Sequence, residues 1–315
     1  MKVILTWAAL VFGPAASLAG LPTEDGWYRW TVDRLPEAAT GCCYANDHIT
    51  DCQLDRRGRG ISYIHDQDAD HGQRVLLHAH LQQGRLTELL AVGDQCPVAA
   101  GSLPVRDLGQ LAADDSAEWL ASQLQSGARI NGDIHAALAS HAGARAGAIL
   151  TQALAPEQPL KDRKSALFWL GQSRPQASQR QLLAALHDDS AKFREHASFV
   201  ISQTELPVAF DALVEQGRSD PAAKVRSQAW FWLAQQGDAR AEAALQAALR
   251  NESSQQVREQ MVFALSQLPD ARGVRALVQL LEQPTVDAKL RKQALFWLAQ
   301  SDDDDAWRYL DTVLK

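Results

Sequence analysis

Cysteine and histidine are the side chains with the clearest chemical potential, and both concentrate in the first third of the chain. The four cysteines are Cys42, Cys43, Cys52 and Cys96, and the histidines of this region are His48, His65, His71, His78 and His80. Imidazoles and thiolates bind metals such as zinc, and thiolates also act as nucleophiles. His78 and His80 would share one face of a strand, which makes them a candidate metal pair.

An even number of cysteines favours disulfides if the protein is exported to an oxidising compartment. A bond between the neighbours Cys42 and Cys43 would need strained geometry. Two pairings remain open: Cys42–Cys52 with Cys43–Cys96, or Cys42–Cys96 with Cys43–Cys52. The spacing contains no paired C-x-x-C framework, so the sequence favours disulfides over a metal site.

The chain carries no local motif of the common catalytic classes. G-x-S-x-G, a phosphate-binding glycine loop, H-E-x-x-H and S-x-x-K are all missing from the sequence. Acidic residues 302–305 lack the ligand spacing and the glycine of a calcium loop. We therefore predict a non-enzymatic protein without catalytic residues, metal or cofactor. The alternative is a metal-dependent or catalytic activity centred on the Cys/His-containing N-terminal region.

The elements around the cysteines are expected to be strands. Residues 27–32 alternate apolar and polar side chains, and residues 75–82 and 86–92 are two apolar runs around a glycine-containing turn, the pattern of a hairpin. A helix is expected to begin near Asp115. We predict a β-rich, cysteine-containing module over residues 20–112 and a helical domain over residues 113–315.

The helical domain contains five related blocks of seven residues. The blocks are residues 166–172 (ALFWLGQ), 197–203 (ASFVISQ), 229–235 (AWFWLAQ), 261–267 (MVFALSQ) and 294–300 (ALFWLAQ). An arginine stands three residues before each block: Arg163, Arg194, Arg226, Arg258 and Arg291. A sixth, degenerate copy begins near Ile134. Each unit reads as two helices with short turns, and no single unit can bury its apolar face alone.

Helical geometry sorts the positions of each block. The first residue, the residue four before it and the residue four after it share one direction, and must face the paired helix. The third residue points roughly the opposite way, which gives a row formed by Phe168, Phe199, Phe231, Phe263 and Phe296. The seventh lies beside it, which gives a second row formed by Gln172, Gln203, Gln235, Gln267 and Gln300. Two interpretations of the aromatic row stay open, ligand contact or packing between neighbouring helices.

The form Val225-Arg226-x-x-Ala229, with Asp-rich turns before it, resembles short HEAT-like repeats over about residues 131–315. The FWL-x-Q motif of the blocks is similar to that of exported bacterial HEAT-repeat proteins. The resemblance implies an α-solenoid of about five to six helix-turn-helix repeats whose block helices line a concave face. It also implies a structural ladder of arginines and turn acids (Asp188, Asp220 and Glu252) between neighbouring units. Such repeats imply a scaffold for a protein or extended peptide. Related repeats in bilin lyases provide an alternative, small-molecule handling.

The net charge and the N-terminal residues limit the class of ligand and the cellular location that can be expected. The net charge is −7 and the pI about 5.7, which argues against nucleic acid as a ligand. Residues 1–19 have the features of a signal peptide: Lys2, an apolar stretch over 3–12, and small residues at Ser17 and Ala19. We expect cleavage after Ala19, no membrane-spanning segment afterwards, and a periplasmic location.

Overall fold

The computed structural model describes residues 22–36, 38, 41–45, 48–54, 62–65, 72–269, 271–284 and 286–313. The predicted signal peptide, residues 1–19, lies outside the described residues. Contacts divide the chain into two compact units. We name them the strand unit, which ends at Ala146, and the repeat unit, which begins at Gly147. No helix in the described part is long and apolar enough to cross a membrane.

The main sheet of the strand unit has the order β7-β6-β1-β9. Its strands are β1 (Gly26–Asp33), β6 (Arg74–Gln82), β7 (Arg85–Gly93) and β9 (Val105–Gln110). β6 and β7 form the predicted antiparallel hairpin, and its turn places Gln83 and Gly84 at φ 54° and 69°. Positive φ at both central residues suits the right-handed twist of a two-residue hairpin. The predicted strand-rich N-terminal region is therefore confirmed.

Shorter strands hold the cysteines. These are β2 (Gly41–Ala45), β3 (His48–Thr50), β4 (Cys52–Gln53), β5 (Ser62–His65) and β8 (Val98–Ala99). The two disulfides are Cys42–Cys96 and Cys43–Cys52, so the structure selects the second of the two open pairings. Cα separations of 5.4 and 5.2 Å fit disulfide geometry. The four half-cystines are buried together around Val92, where they supply core in place of larger apolar side chains.

The strand unit continues past its last strand. It includes helices α1 (Ala113–Ser122) and α2 (Asn131–Ser140), and α3 (Ala144–Gln152) follows. The reason lies in Trp30 of β1, which is fully buried. Its ring meets Trp119 of α1 edge-on at 5.4 Å, and its indole N–H donates to Ser116 at 2.9 Å. A sheet face carrying so large a side chain needs α1 to cover it.

The repeat unit is a two-row stack of helices. The first row, which carries the blocks, is α4 (Leu160–Ser173), α6 (Ala191–Ser202), α8 (Ala223–Gln235), α10 (Gln255–Ser266) and α12 (Ala288–Ala299). The second row is α5 (Gln179–Ala185), α7 (Ala209–Ser219), α9 (Ala241–Leu249), α11 (Arg272–Glu282) and α13 (Asp304–Val313). The predicted apolar stripe is confirmed: in α8, for example, Val225, Ala229 and Leu233 are all buried.

Neighbouring first-row helices contact one another directly, and each also contacts the second-row helix that follows it. One close approach needs a glycine. A Cβ on Gly217 of α7 would stand 2.5 Å from the indole of Trp230 on α8, and that indole is fully buried. Glycine at this position therefore lets α7 and α8 close around the largest side chain of the repeat core.

Candidate protein-binding surface

The block arginines connect consecutive turns of the repeat unit. Arg194 donates through Nε and Nη2 to the Asp220 carboxylate at 2.7 and 2.9 Å, and through Nη1 to the carbonyl of Asp188 at 2.8 Å. Arg226 repeats this arrangement with the Glu252 carboxylate and the Asp220 carbonyl, each bond being 2.9 Å. Each arginine thus binds the backbone of its own turn and the carboxylate of the next turn. We name this set of contacts the arginine ladder.

The ends of the ladder depart from the pattern. Arg163 keeps the carboxylate of the next turn, Asp188, but its Nε donates to the carbonyl of Leu154, nine residues before it, at 2.9 Å. Arg258 pairs with Asp287 at 2.8 Å, a partner that sequence analysis missed because Asp287 stands four residues, not six, before the next block arginine. That arginine, Arg291, donates to the Leu281 carbonyl at 3.1 Å.

The ladder lowers the pKa of two of its carboxylates, Asp188 and Glu252. Burial acts to raise the pKa of Asp188, but bonds from Arg163 and from the Ser190 N–H outweigh it and hold this pKa below its usual value. The same balance, with Arg226 as the main partner, lowers the pKa of Glu252. Charge-assisted, bidentate bonds of this kind favour the ionised carboxylate. Asp188 and Glu252 are therefore ionised at neutral pH.

A second row on the same helices consists of aromatic rings. We name it the aromatic ribbon, made of Phe168, Trp169, Phe199, Phe231, Trp232, Phe263, Phe296 and Trp297. Its ring contacts run without a break from α4 to α12, with centroid separations between 4.8 and 6.2 Å. Offset and edge-on pairs at such separations are favourable beyond the area they bury.

The ribbon repeats every two units rather than every unit. Phe168 and Phe199 stack at 6.2 Å, whereas Phe199 meets Trp232 at 4.9 Å. The next pairs follow the same order, with Phe231 on Phe263 and then Phe263 on a tryptophan. The cause is the fourth residue of each block. It is tryptophan in the blocks of α4, α8 and α12, and valine or alanine in the blocks of α6 and α10.

The rings both pack on the core and face solvent. Phe168 and Phe199 are half-buried against the repeat core, whereas Phe296 is 53% exposed. The indole Nε1 of Trp297 is buried and has no hydrogen-bond partner within the described residues. Packing between neighbouring helices is thus observed, since the inner phenylalanine rings contact rings of the adjacent helices, and ligand contact through their exposed parts stays a prediction.

The ribbon is flanked by a neutral histidine. His196 of α6 lies 5.8 Å from the Phe199 ring, and its Nε2 donates to the Lys164 carbonyl at 2.9 Å. Burial lowers the pKa of His196. This side chain therefore adds an uncharged, flat surface to the ribbon at neutral pH.

The block glutamines lie at the C-terminal ends of the first-row helices, one turn beyond the phenylalanines. Gln203 and Gln267 are C-cap residues, and each donates to the hydroxyl of the preceding serine at 3.1 Å. Gln235 and Gln300 are exposed, while Gln172 is half-buried. Their amides border the ribbon on one side, where carbonyl and amide groups can meet a polypeptide backbone.

The histidines of the strand unit do not form a metal site in the described residues, where no group of three or more potential ligands comes together. His78 is buried, whereas His80 stacks on Trp27 at 4.7 Å and lies 3.6 Å from Glu88. His48 is exposed. His71 and the side chain of His65 lie outside the described part. All four cysteines are disulfide-bonded.

One pair with catalytic side-chain types was not found by sequence reasoning. Ser116 Oγ lies 2.9 Å from Nε2 of His141, whose Nδ1 is 2.7 Å from the Ala137 carbonyl. This is nucleophile–base geometry, but both residues are completely buried, and Ser116 already accepts the N–H of Trp30. Because the two residues are 25 positions apart in the chain, no local motif marks the pair. The Ser116–His141 pair provides hydrogen-bond partners for buried polar groups in the core, and its burial leaves a substrate no access to it.

Helix pairs that contact only their neighbours, joined by a repeated ladder of turn contacts, define an α-solenoid. A family model described as HEAT repeats matches residues 210–299, and the chain is a HEAT-like repeat protein. The X-ray structure of YibA from E. coli is similar over 58% of this chain and 67% of that one, with 19% identity and a TM-score of 0.38. Human deoxyhypusine hydroxylase in complex with glycerol is similar over 59% and 84%, with 19% identity and a TM-score of 0.32. No curated protein matches the sequence.

Proposed function

We propose that the repeat unit is a non-enzymatic scaffold that holds an extended segment of a partner protein along the aromatic ribbon. The observation that carries this proposal is the unbroken series of ring contacts across five helices, each ring keeping part of its surface open. A continuous apolar strip bordered by amides suits an extended chain, because apolar side chains meet the rings while backbone groups meet the amides.

Two further observations support the proposal. HEAT repeats generally mediate protein interactions, and the repeat match covers three of the five helices that carry the ribbon. The apolar stripe and the Arg–acid pairs are buried in the stack, whereas the ribbon rings pack against that core and keep an exposed part.

The proposal includes export to the periplasm, with residues 1–19 removed as a signal peptide. The observation that favours it is the pair of disulfides, since disulfides persist in oxidising compartments and are rare in the cytosol of mesophiles. The partner is then expected among envelope proteins, in assembly or signalling.

The test is photo-crosslinking in the native host, with a crosslinking residue at Gln203 or Gln235 beside the ribbon. A matched probe at Ala243, an exposed position on the second-row helix α9, serves as the control. We expect a discrete partner at the two ribbon positions and none at Ala243. A folded, exported protein that crosslinks at Ala243 alone, or at none of the three positions, contradicts the proposal.

A further inference from the structure

Lysine is confined to one region of this protein. The chain has eight lysines against 23 arginines, and two of the eight, Lys2 and Lys315, stand next to or at the chain ends. The other six all lie in the N-terminal halves of first-row helices: Lys161, Lys164, Lys192, Lys224, Lys289 and Lys292. Arginines are spread over both units and the ladder uses them as buried partners. On the first-row helices the two cations therefore differ in role, with arginine in the ladder and lysine outside it.

Four of these lysines form a row. Lys161, Lys192, Lys224 and Lys289 are each the second residue of their helix, and Gln256 takes the equivalent place in α10. All four are exposed. Lys224 lies 3.0 Å from Glu195 yet keeps 70% of its side chain exposed, and the other three form no ion pair within the described residues. We name these four residues the lysine row.

The row stands where helix electrostatics disfavour it. The first turn of a helix carries partial positive charge, so a cation there weakens the helix and an acid strengthens it. Three of the five second-row helices follow this rule, with Asp211, Glu242 and Asp304 in the first turns of α7, α9 and α13, whereas α5 and α11 carry Arg180 and Arg272 there. The first row places a lysine at one and the same position in four of its five helices, and only α4 has an acid, Asp162, in the same turn. Repeated placement against stability indicates a role for these lysines outside the fold.

The lysine row and the aromatic ribbon lie on the same side of the first-row helices. Each lysine precedes the phenylalanine of its helix by seven residues, for example Lys192 and Phe199, which is close to two full turns. The two rows therefore run parallel, about 10 Å apart. Neighbouring helices lie about 8–10 Å apart, and a polyproline-type chain advances about 9 Å per three-residue turn. Every third residue of such a chain would therefore lie beside the next lysine of the row.

We infer that the segment held on the ribbon is acidic, with Asp or Glu at about every third position facing the lysine row and apolar residues on the rings. This inference rests on the proposed function and specifies its partner. The whole chain is acidic, with a net charge of −7, so the lysine row is a local exception to the overall charge and attracts an acidic segment to this face. Such charge complementarity fixes the register and the partner more than it adds affinity.

The experiment measures fluorescence polarisation of three labelled probe peptides on the full-length protein. The probes are four repeats of Glu-Val-Pro, of Gln-Val-Pro and of Lys-Val-Pro. We expect the Glu peptide to bind more tightly than the Gln peptide, and the Lys peptide not to bind. K161Q/K192Q, which copies the natural glutamine at position 256, is expected to weaken binding of the Glu peptide about three- to thirtyfold. R180Q/R275Q removes two exposed charges from second-row helices and is expected to change nothing.

The outcomes separate this inference from the proposed function. Equal binding of the Glu and Gln peptides, unaffected by K161Q/K192Q, overturns the acidic preference and leaves peptide binding in place. Failure of all three probes while crosslinking at Gln203 succeeds likewise overturns the inference alone. If a single-stranded oligonucleotide or vesicles of anionic lipid bind through Lys161 and Lys192 and the Glu peptide does not, the row recognises a different polyanion and the inference is wrong. Circular dichroism of both double variants establishes that they remain folded.

Discussion

The arginine ladder and the aromatic ribbon repeat along the same five helices, yet the structure uses them differently. In the ladder, Arg194 and Asp220 are almost fully buried and bond to each other twice. In the ribbon, rings touch one another but stay partly open, and Phe296 is more than half exposed. In the ladder, Arg194 and Arg226 have equivalent partners in consecutive units, whereas the ribbon alternates between phenylalanine and tryptophan contacts.

The difference teaches that regular spacing in a sequence does not by itself separate stability from binding. Both rows are equally periodic, and only burial and pairing distinguish them. A paired, buried polar row is costly to disturb because each group leaves an uncompensated partner. A half-open apolar row contributes less to folding and keeps surface available for a ligand. Each of the following predictions therefore asks whether a change affects stability, partner binding or both.

The largest effect is expected from Asp220→Ala, which breaks the ladder. The Asp220 carboxylate accepts from Arg194, Gln216 and the Ala222 N–H, and its loss leaves a buried guanidinium unpaired. We expect the free energy of unfolding to fall by about 3–5 kcal/mol in urea denaturation. The control is Asp238→Ala, which breaks an exposed pair with Arg240 and is expected to cost about 0–1 kcal/mol. Equal costs for the two variants would remove the distinction between ladder and surface.

An intermediate effect is expected from Phe199→Ala, because this ring has neighbours on both sides, Phe168 and Trp232. We expect a loss of about 1–3 kcal/mol in stability, together with weaker partner capture. Phe296→Ala is the matched variant at the exposed end of the ribbon. It is expected to change stability by less than about 0.5 kcal/mol and still to weaken capture. If Phe296→Ala leaves the capture yield of the crosslinked partner unchanged, the end of the ribbon is not part of the binding surface.

A smaller, pH-dependent effect is expected from the ladder carboxylates. The pKa values of Asp188 and Glu252 are lower in the folded than in the unfolded protein, where they are about 3.9 and 4.3. Their contribution is therefore complete above about pH 5 and is lost as pH falls through the lower, folded values. The urea midpoint should fall below about pH 4. The double variant Asp188→Asn/Glu252→Gln should show a shallower dependence on pH, and an identical slope would contradict this assignment.

Sequence reasoning succeeded where structure depends on local periodicity. The blocks gave the five first-row helices and their buried stripe, and a glycine turn between apolar runs gave the β6–β7 hairpin. Sequence reasoning could not choose between the two disulfide pairings. Cys42 and Cys96 are 54 residues apart in the chain and come together only in the folded protein. It also missed Asp287 as a ladder partner, since the turn before α12 changes the spacing.

The candidate site was accessible to sequence reasoning only in part. The phenylalanine positions follow from block geometry. The two-unit alternation of ring contacts does not, because it depends on the contacts of Trp232 and Trp297 with the phenylalanine of the preceding first-row helix. The lysine row was missed although its signal is visible in the sequence, as a lysine five residues before four of the five blocks. The significance of these lysines is seen only with the helix bounds, which place each of them in the first turn of its helix.

Oxidative footprinting of aromatic side chains tests the central claim most directly, because the protein carries its own control. Trp307 of second-row helix α13 is 56% exposed and lies outside the ribbon, so it should oxidise equally with and without the crosslinked partner. We predict that the partner protects Phe296 and Trp297 while leaving Trp307 unchanged. Protection of Trp307 with unchanged oxidation of the ribbon would place the partner on another surface and contradict the account.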